Sequence, residues 1–148
     1  MEINLPQIKK VVFICHGNMF RSQVARAFYN QLATDGSIAY SYGTHVIDQG
    51  LQNLQLSARP GLEILIAELE KYNLDIRNEH CEQLKEEYLK GADKIVVMAE
   101  KEFVPDWLSK YNYEYWENIP NPETYTVEFM ENAVKLIRGK VVELIKNL

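Results

Sequence analysis

Cysteine is scarce in this chain: Cys15 and Cys81 are the two present in 148 residues. They form no Cys-x-x-Cys pair and no Cys/His array, which argues against a structural zinc site and against a disulfide framework. Long apolar runs are missing as well. The longest, Val11–Cys15 and Ile95–Ala99, fall far short of the roughly 20 residues that cross a bilayer. There is no basic surplus, since 16 Lys and Arg against 21 Asp and Glu leave a net charge of −5. A nucleic-acid partner is therefore not expected, and neither is a membrane. Proline and glycine are few, 5 and 7, and no low-complexity linker or repeat breaks the chain. The N-terminal Met-Glu-Ile-Asn-Leu-Pro-Gln has no basic segment followed by a long apolar stretch, so the expected location is cytoplasmic. What remains is an ordinary globular composition, 47% hydrophobic and 25% charged, expected to fold as one domain over residues 1–148.

The apolar pattern alternates strand and helix. Lys10–Cys15 reads as a buried strand, followed by a helix over about Ser22–Ala33 with Val24, Ala25, Phe28 and Leu32 on one face. Asp35-Gly36 ends that helix. Ile38–Tyr42 reads as a second strand and residues 43–60 as a polar loop long enough to border an active site. A helix over Pro60–Tyr72, a short charged helix over 81–90 and a strand at Ile95–Met98 follow. The glutamates between Glu82 and Glu87 read as a solvated helix face. A helix near Lys101–Lys110 and a strand near Tyr113–Trp116 come next. Two prolines make 119–122 a loop. Val127, Met130, Val134, Ile137, Val141 and Leu144 form the stripe of a long amphipathic helix. This alternation predicts an α/β fold with a parallel sheet and helices on both faces. Ligands of such sheets bind beyond the carboxyl ends of the strands. Cys15, the loop after Tyr42 and the loop at 117–125 all lie on that edge.

The segment Val11–Ser22 carries the chemistry. An apolar strand stops at Cys15; His16, Gly17, Asn18, Met19 and Phe20 form a short loop; Arg21 and Ser22 open a helix. A thiol placed before a helix amino end meets unpaired N–H groups, the helix dipole and a permanent cation, all of which favour the thiolate. The same donors suit a phosphate-like oxyanion, and a guanidinium binds two of its oxygens at once. Gly17 allows close backbone approach or a positive φ. Asn18 tolerates the left-handed region and can pin the loop. Ser22 either donates to the thiolate or caps the helix. His16 is expected to contribute its N–H, with its ring turned outward. Cys81 reads as a small buried hydrophobe.

With these residues in view, Val11–Arg26 resembles the phosphate-binding loop of the low-molecular-weight protein tyrosine phosphatases, whose fold includes the thioredoxin-coupled arsenate reductases. Ser41-Tyr42-Gly43-Thr44 is similar to the family's Ser-Ala-Gly-Thr segment. Leu74-Asp75-Ile76, Gln83-Leu84 and Ala92-Asp93 through Met98 match weaker positions. The resemblance implies a four-stranded sheet of order 2-1-3-4 in a three-layer domain, and phosphotyrosine-like phosphomonoester hydrolysis without metal or organic cofactor. It implies Cys15 as the nucleophile that becomes a phosphocysteine and Arg21 as the clamp on the equatorial oxygens. The N–H groups of His16 to Arg21 would form the cradle, with Ser22 holding the thiolate. The expected partner is a phosphorylated protein or a small phosphomonoester.

The sequence departs from the family in four places. Asn121, in Ile119-Pro120-Asn121-Pro122-Glu123, stands where the family has its general-acid Asp, and an amide neither donates nor accepts the proton. Glu123 could replace it. Otherwise the chain is a weakened phosphatase or a phosphate-binding pseudophosphatase without catalysis. Phe20 replaces a cysteine found in many members, so oxidised Cys15 has no vicinal resolving thiol. Arg21-Ser22-Gln23 matches the arsenate reductases, yet the cysteine they carry after the third strand is missing from Val97-Met98-Ala99-Glu100. Glu123 and Thr124 stand where phosphatases often have aromatic residues, which leaves Tyr42, His45, Glu123 and Tyr125 as the expected substrate rim. His80 lies one step off the family's His, at whose place stands Glu79, and neither His80 nor His16 is given a catalytic role.

Overall fold

The computed structural model describes residues 9–121 and 126–148. Four strands, β1 (Lys10–Cys15), β2 (Ile38–Gly43), β3 (Lys94–Val97) and β4 (Glu114–Tyr115), form one sheet in the order β2-β1-β3-β4. Every pairing is parallel. The three α-helices are α1 (Arg21–Leu32), α2 (Glu63–Glu70) and α3 (Val127–Lys146). The fold is thus the expected α/β fold with sheet order 2-1-3-4. Among the described residues no helix is long and apolar enough to cross a membrane.

Strand parity divides the core. Val11, Phe13, Val96 and Met98 face one layer, with Phe28 and Tyr29 of α1, Leu65 and Leu69 of α2, and Val134, Ile137 and Val141 of α3. Val12, Ile14, Ile95 and Val97 face the other, where Leu84, Leu89 and Leu108 cover them. Strands buried on both faces read as unbroken apolar runs, which is why β1 and β3 are so clear in the sequence.

The helical cover of the second face is 3₁₀, over Glu86–Leu89 and Asp106–Lys110. Pro105 has no N–H to give, so the helix expected over 101–110 is divided into two short turns. The charged helix expected over 81–90 shrinks to its last turn because the backbone before it is claimed elsewhere. Gly43 N–H donates to Glu82 O at 2.9 Å, and Leu84 N–H donates to Gly43 O at 2.7 Å. Cys81 N–H donates to Leu54 O at 2.9 Å. Residues 81–84 therefore run extended along the free edge of β2 and brace the loop that follows β1. Helix α2 begins only at Glu63, after Gly61 has turned the chain at φ +91°.

Candidate active site

Strand β1 delivers Cys15 to the carboxyl edge of the sheet, where its register partner is Gly43 at the end of β2. The loop then turns through Asn18 in the left-handed region, φ 55°, a conformation that asparagine tolerates better than most residues. Cys15 Sγ lies 3.0 Å from Ser22 Oγ and receives Asn18 N–H at 3.3 Å. Asn18 Nδ2 donates to the same Ser22 Oγ at 2.7 Å. An amide NH₂ can only donate, so Ser22 accepts there and keeps its own proton free for the sulfur, its other partner among the described residues. The sulfur thus receives one backbone N–H and lies within hydrogen-bond reach of a hydroxyl. Helix α1 has no side-chain N-cap, so of the two uses expected of Ser22 the cap is not made, and its hydroxyl lies against the thiol. The N–H groups of Gly17, Met19 and Phe20 donate to no acceptor among the described residues. Free N–H groups ahead of a helix amino end are the kind of donors that suit an anion.

Arg21, 2% exposed, is held from behind. Its Nη1 donates to Met98 O at 2.8 Å and to Glu100 Oε1 at 2.9 Å, and Nη2 reaches Glu100 Oε2 at 3.4 Å. Its buried Nε has no partner among the described residues, although a buried donor normally finds one. A cavity of about 60 Å³ is lined by Cys15, His16, Gly17, Met19, Phe20, Arg21, Gln49 and Asn121. Burial works to raise the Glu100 carboxyl. The Arg21 hydrogen bonds, a backbone N–H and the charges of Arg21 and His16 outweigh it and hold the group below its ordinary range.

A second layer fixes the loop. Asn18 Oδ1 accepts from Glu82 N–H at 2.9 Å and from Gln23 Nε2 at 3.2 Å, and Gln23 also donates to His80 O at 3.1 Å. Thr44 N–H donates to Cys15 O at 2.9 Å and His45 N–H to His16 O at 3.0 Å. This close approach is why residue 43 is glycine. A Cβ there would lie 2.8 Å from both Asn18 N and His16 O and 2.6 Å from Val46 Cγ2. Gly43→Ala is expected to cost about 1–3 kcal/mol by overpacking and to lower activity with it; unfolding in urea and turnover of p-nitrophenyl phosphate measure the two.

Not every residue expected at the rim is there. Tyr42 pairs in register with Ile14 and so belongs to the opposite face of the sheet, where it stacks on Tyr88 with ring centroids 4.8 Å apart. Burial, then the Tyr88 and Glu82 charges, push its phenol up to about 12. His45 is half-buried beside the cavity, 5.0 Å from the His16 ring. Phe20 is both core and cavity wall. Glu123 and Tyr125 lie outside the described residues. The His16 ring is stacked on Phe103 at 4.0 Å and 13°. Burial, and then His45, lower its pKa, with Arg21 adding to that and Glu100 opposing it. Burial, reinforced by the Cys15 charge, pushes the Cys81 thiol up to about 11. Gln49, Glu100 and Phe103 were not anticipated. For Glu100 a signal existed, a carboxylate just past the carboxyl end of β3 on the edge that carries Arg21.

A cysteine and arginine six residues apart at the two ends of a loop with free N–H groups, on a 2-1-3-4 parallel sheet, can be matched against known proteins. A glutaredoxin arsenate reductase of Synechocystis sp. is 25% identical over 143 residues, covering 95% of this chain and 96% of that protein. Among solved structures, Vibrio vulnificus Wzb in complex with benzylphosphonate superposes with a TM-score of 0.73 at 21% identity. That match covers 96% of this chain and 100% of the other. The low molecular weight protein tyrosine phosphatase of T. tengcongensis does so with a TM-score of 0.73 at 24% identity, covering 95% and 99%. Likenesses at this level of identity establish the fold. The assignment to a family comes from residues 10–148, which match low molecular weight phosphotyrosine protein phosphatase from the start of β1 to the last residue, and the chain belongs to that family.

Proposed function

We propose that this chain hydrolyses phosphomonoesters of the phosphotyrosine type through a phosphocysteine on Cys15, at a rate held down by Asn121. The observation that carries the reading is the Asn18–Ser22–Cys15 hydrogen-bond chain, which brings a backbone N–H and a hydroxyl to the sulfur beside an Arg21 Nε that has no partner among the described residues. The thiolate attacks phosphorus, the Sγ–P bond forms and the ester P–O bond breaks. Arg21 Nε and the loop N–H groups receive the equatorial oxygens as charge builds on them. Asn121 lines the cavity; read as the counterpart of the family's acid, its amide leaves the departing oxygen unprotonated. The substrate is a phosphorylated protein or a small phosphomonoester, and no cofactor takes part.

p-Nitrophenyl phosphate tests this, because its good leaving group needs little protonation. Cys15→Ser is expected to abolish turnover. Equal rates in wild type and Cys15→Ser would leave a phosphate-binding pseudophosphatase.

Arsenate reduction is the second reading, favoured by the match to the glutaredoxin arsenate reductase. Against it stands the sole additional thiol, Cys81, fully buried and with its pKa raised to about 11, which makes it a poor partner for thiol exchange. Thioredoxin-dependent arsenate turnover that Cys81→Ser abolishes would reverse this ranking.

A further inference from the structure

We infer that His16 takes over the proton transfer that Asn121 cannot perform, acting as the general base on the water that hydrolyses the phosphocysteine. This rests on the reading of Cys15 as nucleophile. Eight described residues line the cavity, and the ionisable ones are Cys15, Arg21 and His16. Cys15 is the reacting group and Arg21 is permanently charged. Gln49 and Asn121 can orient a water but cannot accept its proton. Glu100, the nearby carboxylate, is turned onto the Arg21 guanidinium through both oxygens and is not among the lining residues.

His16 is built to hold a fixed position. Its ring stacks on Phe103 at 4.0 Å and meets His45 at 5.0 Å, with Phe103 in turn edge-on to His45 at 5.3 Å. Its own backbone carbonyl is tied to His45 N–H, and His45 Nδ1 lies 2.8 Å from Thr44 Oγ1. The charged or titratable groups acting on it are His45 after β2, Glu100 after β3, Arg21 at the start of α1, and the neighbouring Cys15. Burial, His45 and Arg21 together outweigh Glu100, so the imidazole is neutral near pH 7 and able to accept a proton. In the step assigned to it, the water oxygen bonds to phosphorus and the Sγ–P bond breaks. The water proton passes to an imidazole nitrogen, the thiolate is restored and inorganic phosphate leaves. The imidazolium then loses its proton to solvent.

The experiment is p-nitrophenyl phosphate hydrolysis by the full chain, with the initial burst and the pH profile of kcat recorded for wild type, His16→Gln, Glu123→Gln and His16→Gln/Asn121→Asp. His16→Gln is expected to keep a burst of one nitrophenolate per site, which also reports an intact fold. Its steady-state turnover is expected to drop by about 10²-fold or more. Wild-type kcat should fall as pH drops through one ionisation below about 6.5; His16→Gln should lack that limb, and Asp at 121 should restore its turnover. Unchanged turnover in His16→Gln, loss of its burst together with turnover, or an acid limb that persists there and disappears in Glu123→Gln would overturn the assignment. Wild-type turnover equal to that of Cys15→Ser would instead bring down the nucleophile reading itself.

Discussion

Asn121→Asp is expected to raise turnover of phenyl phosphate and phosphotyrosine by about 10²–10⁴-fold, the usual contribution of a positioned general acid. Asn121 lines the same cavity as Cys15 and Arg21, so a carboxyl placed there would face the leaving oxygen. The two side chains have the same shape, and the substitution changes proton chemistry with little change in packing. The gain depends on the leaving group. An unactivated phenolate must be protonated as the P–O bond breaks, whereas nitrophenolate departs unaided, so p-nitrophenyl phosphate should gain less. Steady-state rates on the two substrates measure the ratio. Equal gains, or none, would mean that residue 121 is not placed to serve the leaving oxygen.

Arg21→Lys is expected to lower kcat by about 10²–10³-fold, the scale for loss of a preorganised donor to developing charge. Lysine keeps the positive charge and can still reach Met98 O or Glu100, whose present bonds to Nη1 are 2.8 and 2.9 Å. It cannot also present a second donor in the plane of a fork. Three of the five N–H donors of Arg21 go to Met98 and Glu100, while Nε has no partner among the described residues, so in the proposed mechanism positioning and oxyanion binding fall to different donors of one side chain. Arg21→Ala should do worse, because it also removes the charge and leaves Met98 O without its donor. Thermal unfolding of both variants separates the two effects: a retained Tm in Arg21→Lys with a large kcat loss supports the division of labour. A kcat near wild type would contradict it.

Much of this site could be read from the chain because its parts lie where local rules are strong. The run Val11–Cys15 is apolar at every position and can only be an interior strand; Gly17 and Asn18 mark a turn; the stripe from Val127 to Leu144 sets α3. The parallel fold then brings residue 121 to residue 15 without further information. What could not be read depends on tertiary pairing. Glu82–Glu87 has a helical charge pattern, but the N–H of Gly43 and Leu84 and the carbonyls of Glu82 and Gly43 commit residues 82–84 to an edge ladder. The Glu100 carboxylate finds Arg21 across 79 positions, and the stacking of His16 on Phe103 needs two loops in place. Tyr42 was misplaced for a reason that strand parity already contained. If Gly43 stands opposite Cys15, Tyr42 stands opposite Ile14 and faces away from the cavity.

Rapid acid quench of the protein mixed with p-nitrophenyl phosphate, followed by mass spectrometry of its peptides, tests the central claim most directly. The account predicts one added phosphoryl group on the peptide containing Cys15, formed at the rate of nitrophenolate release and absent from Cys15→Ser. Steady turnover with no such adduct, or an adduct on a different residue, would contradict it.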